Sequence, residues 1–165
     1  GVRVSDAQRV GEIDQGFFDT MRILDRGRIS IAAMALGLGY GALDLATKYS
    51  KERKAFGKPI AEFQAIQWML ADAKTELDAA ALLTYRAAWL ADLGKRHSEE
   101  AAMAKLFASE AATRACNSSL QVHGGYGYVR EFDVERHLRD AKLCEIGEGT
   151  SEVQRMVIAK HVLAG

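Results

Sequence analysis

Proline is nearly absent from this chain of 165 residues, with Pro59 the single one. Because proline kinks or ends helices, its scarcity permits long ones and excludes a proline-rich disordered tail. Cysteine is also scarce. Cys116 and Cys144 lie far apart with no CxxC spacing, which excludes a disulfide framework and reads as two reduced thiols of an intracellular protein. Aromatics reach only 8%, and strand formers are too sparse for a sandwich or barrel. No sign of charge dominates: 22 Lys and Arg balance 22 Asp and Glu, so nothing global points to nucleic acid or a membrane surface. No apolar run approaches the roughly 18 residues of a membrane span, and no basic-then-apolar leader is visible. Metal ligation is not expected either. His97, His123, His137 and His161 are preceded at i−3 by Gly94, Leu120, Val134 and Ile158 rather than by glutamate, and no His/Cys pair has zinc spacing.

What the chain does have is alanine, 27 residues of it, within a 48% hydrophobic composition. That mixture favours long helices around one core. Residues 1–13 open with the alternating Gly1-Val2-Arg3-Val4 and read as the end of a strand from a preceding β-domain or linker, making the chain a piece of something larger. Residues 14–165 read as one helical bundle domain. From Phe17 the apolar period is helical, with Gly27 expected to divide a short helix from a longer one reaching Tyr49. A charged loop over 51–61 is broken by Gly57 and Pro59. A helix from Glu62 to Leu93 follows, then one from Ser98 to Val122, a short one over Asp133–Asp140, and a last one over Ser151–Leu163. Short connections between long helices imply an all-α fold, an antiparallel four-helix bundle. Trp68, Leu82, Leu83, Tyr85 and Trp89 lie off the main apolar stripe of their helix, so a second face is expected to meet another subunit or domain.

Several motifs carry chemistry. Gly37-Leu38-Gly39-Tyr40-Gly41-Ala42 matches a dinucleotide fingerprint but sits inside a helical pattern without a preceding strand, so close helix packing explains it better. Gly147-Glu148-Gly149-Thr150-Ser151 brackets one carboxylate with glycines, and Ser151 and Gln154 have capping-box spacing. A lone carboxylate on a tight turn suits proton transfer, although an acid leading a helix also complements the macrodipole. Arg53-Lys54-x-Phe56-Gly57 and Gln121-x-x-Gly124-Gly125 have the donors and aromatic platform of an anion-binding edge, or are a basic turn and a helix end. Asp25 and Arg28 have the spacing of a simple ion pair.

In order along the chain, these segments resemble the C-terminal domain of the acyl-CoA dehydrogenases, nearest the short-chain, butyryl-type branch. The resemblance rests on Arg28, Glu52-Arg53-Lys54-Ala55-Phe56-Gly57-Lys58-Pro59, Phe63-Gln64-Ala65-Ile66-Gln67, Ala101-Ala102-Met103-Ala104-Lys105, Gln121-Val122-His123-Gly124-Gly125-Tyr126-Gly127, Arg139-Asp140-Ala141-Lys142, and the run from Ile146 to Arg155. It implies a bundle packed against a β-domain and an N-terminal helical domain, in an enzyme that oxidises acyl-CoA to trans-2-enoyl-CoA. A base takes the α-proton while the β-hydrogen leaves as hydride to FAD. Glu148 matches the family's base. Asp25, Arg28 and Gly149 match positions near the substrate. Arg53, Phe56, Phe63, Gln64, Gln121, Val122, His123, Gly124 and Gly125 match positions on the FAD of a neighbouring subunit, and Thr150, Ser151 and Glu152 match positions on the subunit's own FAD.

The resemblance also implies a homo-oligomer, a dimer of dimers, with electron-transfer flavoprotein as redox partner. The compartment would be the cytoplasm in a bacterium or the mitochondrial matrix in a eukaryote. Two departures stand out: Gly147 replaces a tyrosine common before the base, and Ala55 replaces a hydroxyl residue. Branches that carry the base on the earlier helix place it at the position of Gly27, which has no carboxylate. An acyl-CoA oxidase is the alternative enzyme, whereas nitroalkane oxidases prefer Asp at the base. A flavin site shared between domains would leave the isolated fragment an inactive oligomerisation bundle.

Overall fold

In the computed structural model, which describes residues 1–164, five α-helices account for most of the chain: α1 (Gly16–Glu52), α2 (Gln64–Asp92), α3 (Ser98–His123), α4 (Val134–Ile146) and α5 (Ser151–Ala164). The all-α bundle expected from the sequence is observed. α3 is its centre and packs on each of the other four. Cross-helix pairs give the directions. Arg114 Nε donates to Glu76 at 2.7 Å and Arg86 Nη2 to Glu100 at 3.1 Å, a descending register that sets α2 antiparallel to α3. Tyr49 stacks on His123 while Ser98 reaches Asp25, so α1 and α3 run parallel.

Alanine dominates the interface. Ala32, Ala35, Ala42, Ala80, Ala104, Ala108, Ala111 and Ala112 are wholly buried, with Leu77 the largest apolar side chain among them. Small side chains let helix axes approach closely and cost little rotamer entropy. A close approach falls at Gly39, where a Cβ would stand 2.5 Å from Leu77 Cδ2 and 3.3 Å from the Ala112 backbone. Within the glycine-rich stretch of α1, Gly39 thus serves close helix packing and a Cβ on Gly41 would meet the His137 ring at 3.0 Å, while Gly37 faces open space.

Several expectations are corrected. Gly27 does not divide α1, which is continuous for 37 residues; a single helical glycine costs only about 1 kcal/mol against alanine, well within what packing supplies. α1 is also long and apolar enough to cross a membrane by length and composition, which the sequence reading missed. Scattered polar residues hid the average, and in the bundle its Ala32, Ala35, Ala42 and Ala46 are buried. Residues 1–13 contain a 3-10 turn at Asp6–Gln8 and no strand; an isolated alternating segment has no ladder partner among the described residues. The loop after α1 holds a small antiparallel hairpin, β1 (Lys54–Ala55) with β2 (Lys58–Pro59). Its two turn residues, Phe56 and Gly57, both have positive φ, 52° and 82°, as a type I′ turn demands. α4 runs on to Ile146, six residues past its expected end at Asp140.

Candidate active site

The turn between α4 and α5 carries Glu148. α4 ends as the Gly147 N–H donates to the Leu143 carbonyl at 2.9 Å. Glu148 then adopts φ 58° and Gly149 φ 92°. Left-handed backbone is natural for glycine and costs a non-glycine residue about 1–3 kcal/mol; such strain gathers at functional sites. The expected capping box is not formed. Thr150 Oγ1 caps α5 instead, accepting from the Val153 N–H at 3.5 Å, and Ser151 Oγ is buried without a partner. Gln154 turns inward, its Nε2 donating to the carbonyls of Gly149 at 2.8 Å and Glu148 at 3.3 Å.

The turn lays the Glu148 carboxylate across α1 at Gly27. A Cβ on Gly27 would stand 2.8 Å from Glu148 Cδ and closer still to Oε2, so glycine is what admits the carboxylate here. On α1 beside it, Arg28 is buried and its Nη1 donates to Asp25 Oδ1 at 2.5 Å, with Ser98 Oγ donating to the other Asp25 oxygen. Arg28 Nε has no partner. A small pocket of about 210 Å³ next to them is lined by Asp25, Arg28, Arg96, Ser98 and Lys160 among others. Glu152, exposed on α5, is held below the usual carboxylate range by the hydroxyl of Thr150 and its own backbone N–H. The structure thus brings Asp25, Arg28, Glu148 and Gly149 to one end of the bundle, with Thr150, Ser151 and Glu152 following on the same turn and helix.

Sequence reasoning did not single out Lys105 on α3. Its side chain is wholly buried, and Nζ donates to the carbonyls of Gly149 at 2.7 Å and Glu145 at 3.0 Å. Burial lowers its pKa, and the positive charge of Arg28 works the same way against the opposing pull of Cys144, Glu145 and Glu152. The available signal was one lysine set four residues after Ala101 and three before Ala108, on the alanine face of α3.

The other sequence-predicted residues lie at the far end. Rising 1.5 Å per residue, α3 separates Lys105 from His123 by about 27 Å. A cleft of about 710 Å³ is lined there by Arg53, Gln121, Val122, His123, Gly124 and Gly125, together with Tyr49 and Tyr126. Val122 and His123 are buried; His123 Nδ1 pairs with the Ser119 carbonyl at 2.8 Å and its ring stacks on Tyr49 at 4.3 Å. Arg53 lies over the Tyr126 ring at 5.5 Å, and among the described residues nothing beyond the immediate chain neighbours stands within 4 Å of where side chains on Gly124 or Gly125 would begin. Aromatic walls, bare backbone and a guanidinium suit a planar heterocycle bearing phosphate. Phe56, Phe63 and Gln64 do not line this cleft. Phe56 projects from the hairpin tip with 96% of its surface exposed, edge-on to Phe63, while Gln64 opens α2. No group of three or more His, Cys, Asp and Glu able to hold a metal occurs among the described residues.

Comparison with known proteins shows the family of the chain. Residues 14–163 match the model of the acyl-CoA dehydrogenase C-terminal domain. A probable acyl-CoA dehydrogenase of Bacillus subtilis is 57% identical over 98% of this chain and 43% of its own length. The CarC subunit of a caffeyl-CoA reductase–Etf complex from Acetobacterium woodii is 51% identical over 98% of the chain and 43% of its own length. The solved butyryl-CoA dehydrogenase of Megasphaera elsdenii superposes with a TM-score of 0.92 at 48% identity, covering 93% of this chain and 40% of that one. The chain spans about two fifths of the length of these relatives. It belongs to the acyl-CoA dehydrogenase family, as the C-terminal helical domain.

Proposed function

We propose that the protein containing this chain is an FAD-dependent acyl-CoA dehydrogenase that converts acyl-CoA to trans-2-enoyl-CoA, with Glu148 as the base. The carrying observation is the Glu148 carboxylate, held on a strained turn and laid over a glycine. A Glu148 oxygen takes the α-proton of the thioester, and the electron pair of that C–H bond forms the new double bond as the β-hydrogen leaves. The Glu148 backbone N–H, just past the end of α4, donates to the thioester carbonyl as charge develops on it. Bound FAD supplies the hydride acceptor. Asp25, Arg28 and Gly149 border the substrate beside the base.

The two ends of the bundle serve two cofactors. Thr150, Ser151 and Glu152 face the subunit's own FAD. Arg53, Phe56, Phe63, Gln64 and residues 121–125 hold that of a neighbour, because one flavin cannot reach both ends of α3. This requires at least a dimer. Trp68, Leu82, Tyr85 and Trp89, all more than half exposed along α2, suit burial in a dimer of dimers. Residues 1–13 lead in from the preceding domain. Electron-transfer flavoprotein is the redox partner, a reading supported by the Acetobacterium relative, a subunit of a caffeyl-CoA reductase–Etf complex. The compartment is the bacterial cytoplasm or the mitochondrial matrix. At Gly147 φ is an ordinary −63° and a Cβ would meet only the Leu143 carbonyl at 3.5 Å, so the missing side chain leaves room for a broader acyl group.

The test is Glu148→Gln in the full-length enzyme. Turnover should fall by at least about a thousandfold with FAD still bound, since the amide keeps the shape and loses the base. Near-normal turnover would remove Glu148 from the role. An acyl-CoA series read by flavin bleaching then ranks chain length and branching.

A further inference from the structure

Lys105 is the largest wholly buried side chain among the described residues. A buried ammonium loses several kcal/mol of hydration, normally offset by a carboxylate partner. Here Nζ spends its hydrogen bonds on two backbone carbonyls, Glu145 at 3.0 Å and Gly149 at 2.7 Å. These straddle Glu148. The Glu145 carbonyl belongs to the last turn of α4, where acceptors lack helical partners and the dipole is negative. Gln154, also wholly buried, grips the same turn from α5 through the carbonyls of Glu148 and Gly149. Glu148 carries φ 58°, which an unsupported glutamate does not hold.

We propose that Lys105, seconded by Gln154, is the positioning residue that fixes the Glu148 turn so that the carboxylate stays over Gly27. This rests on the assignment of Glu148 as the base. Lys105 touches no substrate and acts only through the backbone it holds.

The experiment uses full-length enzyme bearing Lys105→Met or Gln154→Leu, and reads single-turnover flavin bleaching at saturating acyl-CoA. A misfolded fraction lowers the amplitude; a displaced base lowers the rate constant. The Lys105→Met rate constant should fall about 10–100-fold, as a displacement near 1 Å costs, and Gln154→Leu should show a smaller fall of the same kind. A second readout needs no turnover: amide hydrogen exchange at residues 147–151 should quicken in both variants while that of α2 stays unchanged. A wild-type rate constant in folded Lys105→Met overturns the proposal. Should that variant fail to fold, an unchanged rate constant and exchange in Gln154→Leu overturns it, and a slowed rate with faster exchange supports it. Glu148→Gln run alongside separates the two assignments. If it is active, the base reading falls; if it is dead while Lys105→Met is normal, only the positioning role falls.

Discussion

The two ends of this bundle are built on opposite plans. At the Glu148 end the chain spends buried polar side chains on its own backbone: Lys105 and Gln154 hold the turn, while Arg28, Asp25 and Ser98 pair with one another. At the Arg53 end it offers unspent surface. Phe56 is exposed on a strained hairpin tip, Gly124 and Gly125 are bare, and Arg53 leans on Tyr126 beside an open cleft. One end holds the backbone that carries a carboxylate; the other presents an open cleft of about 710 Å³. This suits the proposed roles: a base would have to be placed before the substrate arrives, whereas a cofactor shared between subunits would be fixed only on assembly.

The comparison can be broken from the middle. Leu77 is the largest wholly buried apolar side chain among the described residues and packs against α1 at Gly39. Leu77→Ala should cost about 2–5 kcal/mol by leaving a cavity in a core of alanines that cannot collapse inward. Thermal melting reads the loss, and flavin retention and turnover should fall together. Loss of only one would show that the ends are held independently.

Gly27→Ala sharpens the contrast at the Glu148 end, because stability and activity should move in opposite directions. Alanine stabilises a helix by about 0.5–1 kcal/mol relative to glycine, and what it would strike is the far end of a flexible side chain rather than backbone. The carboxylate must swing away. Melting should rise slightly while kcat falls about a hundredfold. Unchanged kcat would mean the carboxylate works from another place.

Much of this was legible in the sequence, unevenly and for physical reasons. The long helices follow from period, alanine and missing proline, and the core role of Gly39 follows from its place in a helical run. Glu148 stood out because two glycines flank it. Gly27 did not, since a helical glycine usually signals weakness, and only the fold shows which side chain crosses it. Lys105 was hidden by its charge: lysine is read as solvated, and the carbonyls it serves lie 40 and 44 residues away. The hairpin was missed because Phe in a left-handed turn position contradicts local preference.

The Arg53 end should respond more weakly to single changes, since several groups would share the proposed flavin there. Arg53→Ala removes one exposed guanidinium, so full-length enzyme should hold FAD about tenfold less tightly with melting of the flavin-free protein unchanged. Retention through gel filtration measures it. Unaltered FAD affinity would take the guanidinium out of the cofactor site.

The smallest effect concerns the contact joining α1 to α2 midway between the ends. Tyr40 Oη donates to Asp78 Oδ1 at 2.7 Å, and burial, then that hydrogen bond, pushes the phenol from 10.0 up to about 12. A raised value means the folded state holds the proton more tightly than the unfolded chain. The contribution is therefore complete below pH 10 and lost as pH climbs towards 12. Burial likewise pushes the Cys116 thiol from 9.0 up to about 12 and raises the Cys144 thiol too, with the same sign, so alkaline melting alone does not separate Tyr40 from the thiols. Tyr40→Phe does. It should flatten only the part of the melting curve between pH 10 and 12 and leave the thiol part, which begins near pH 9, in place. Because Tyr40 belongs to neither end, any alkaline loss of activity should accompany loss of flavin. Turnover lost before flavin would place the weak point at the Glu148 turn instead of mid-bundle.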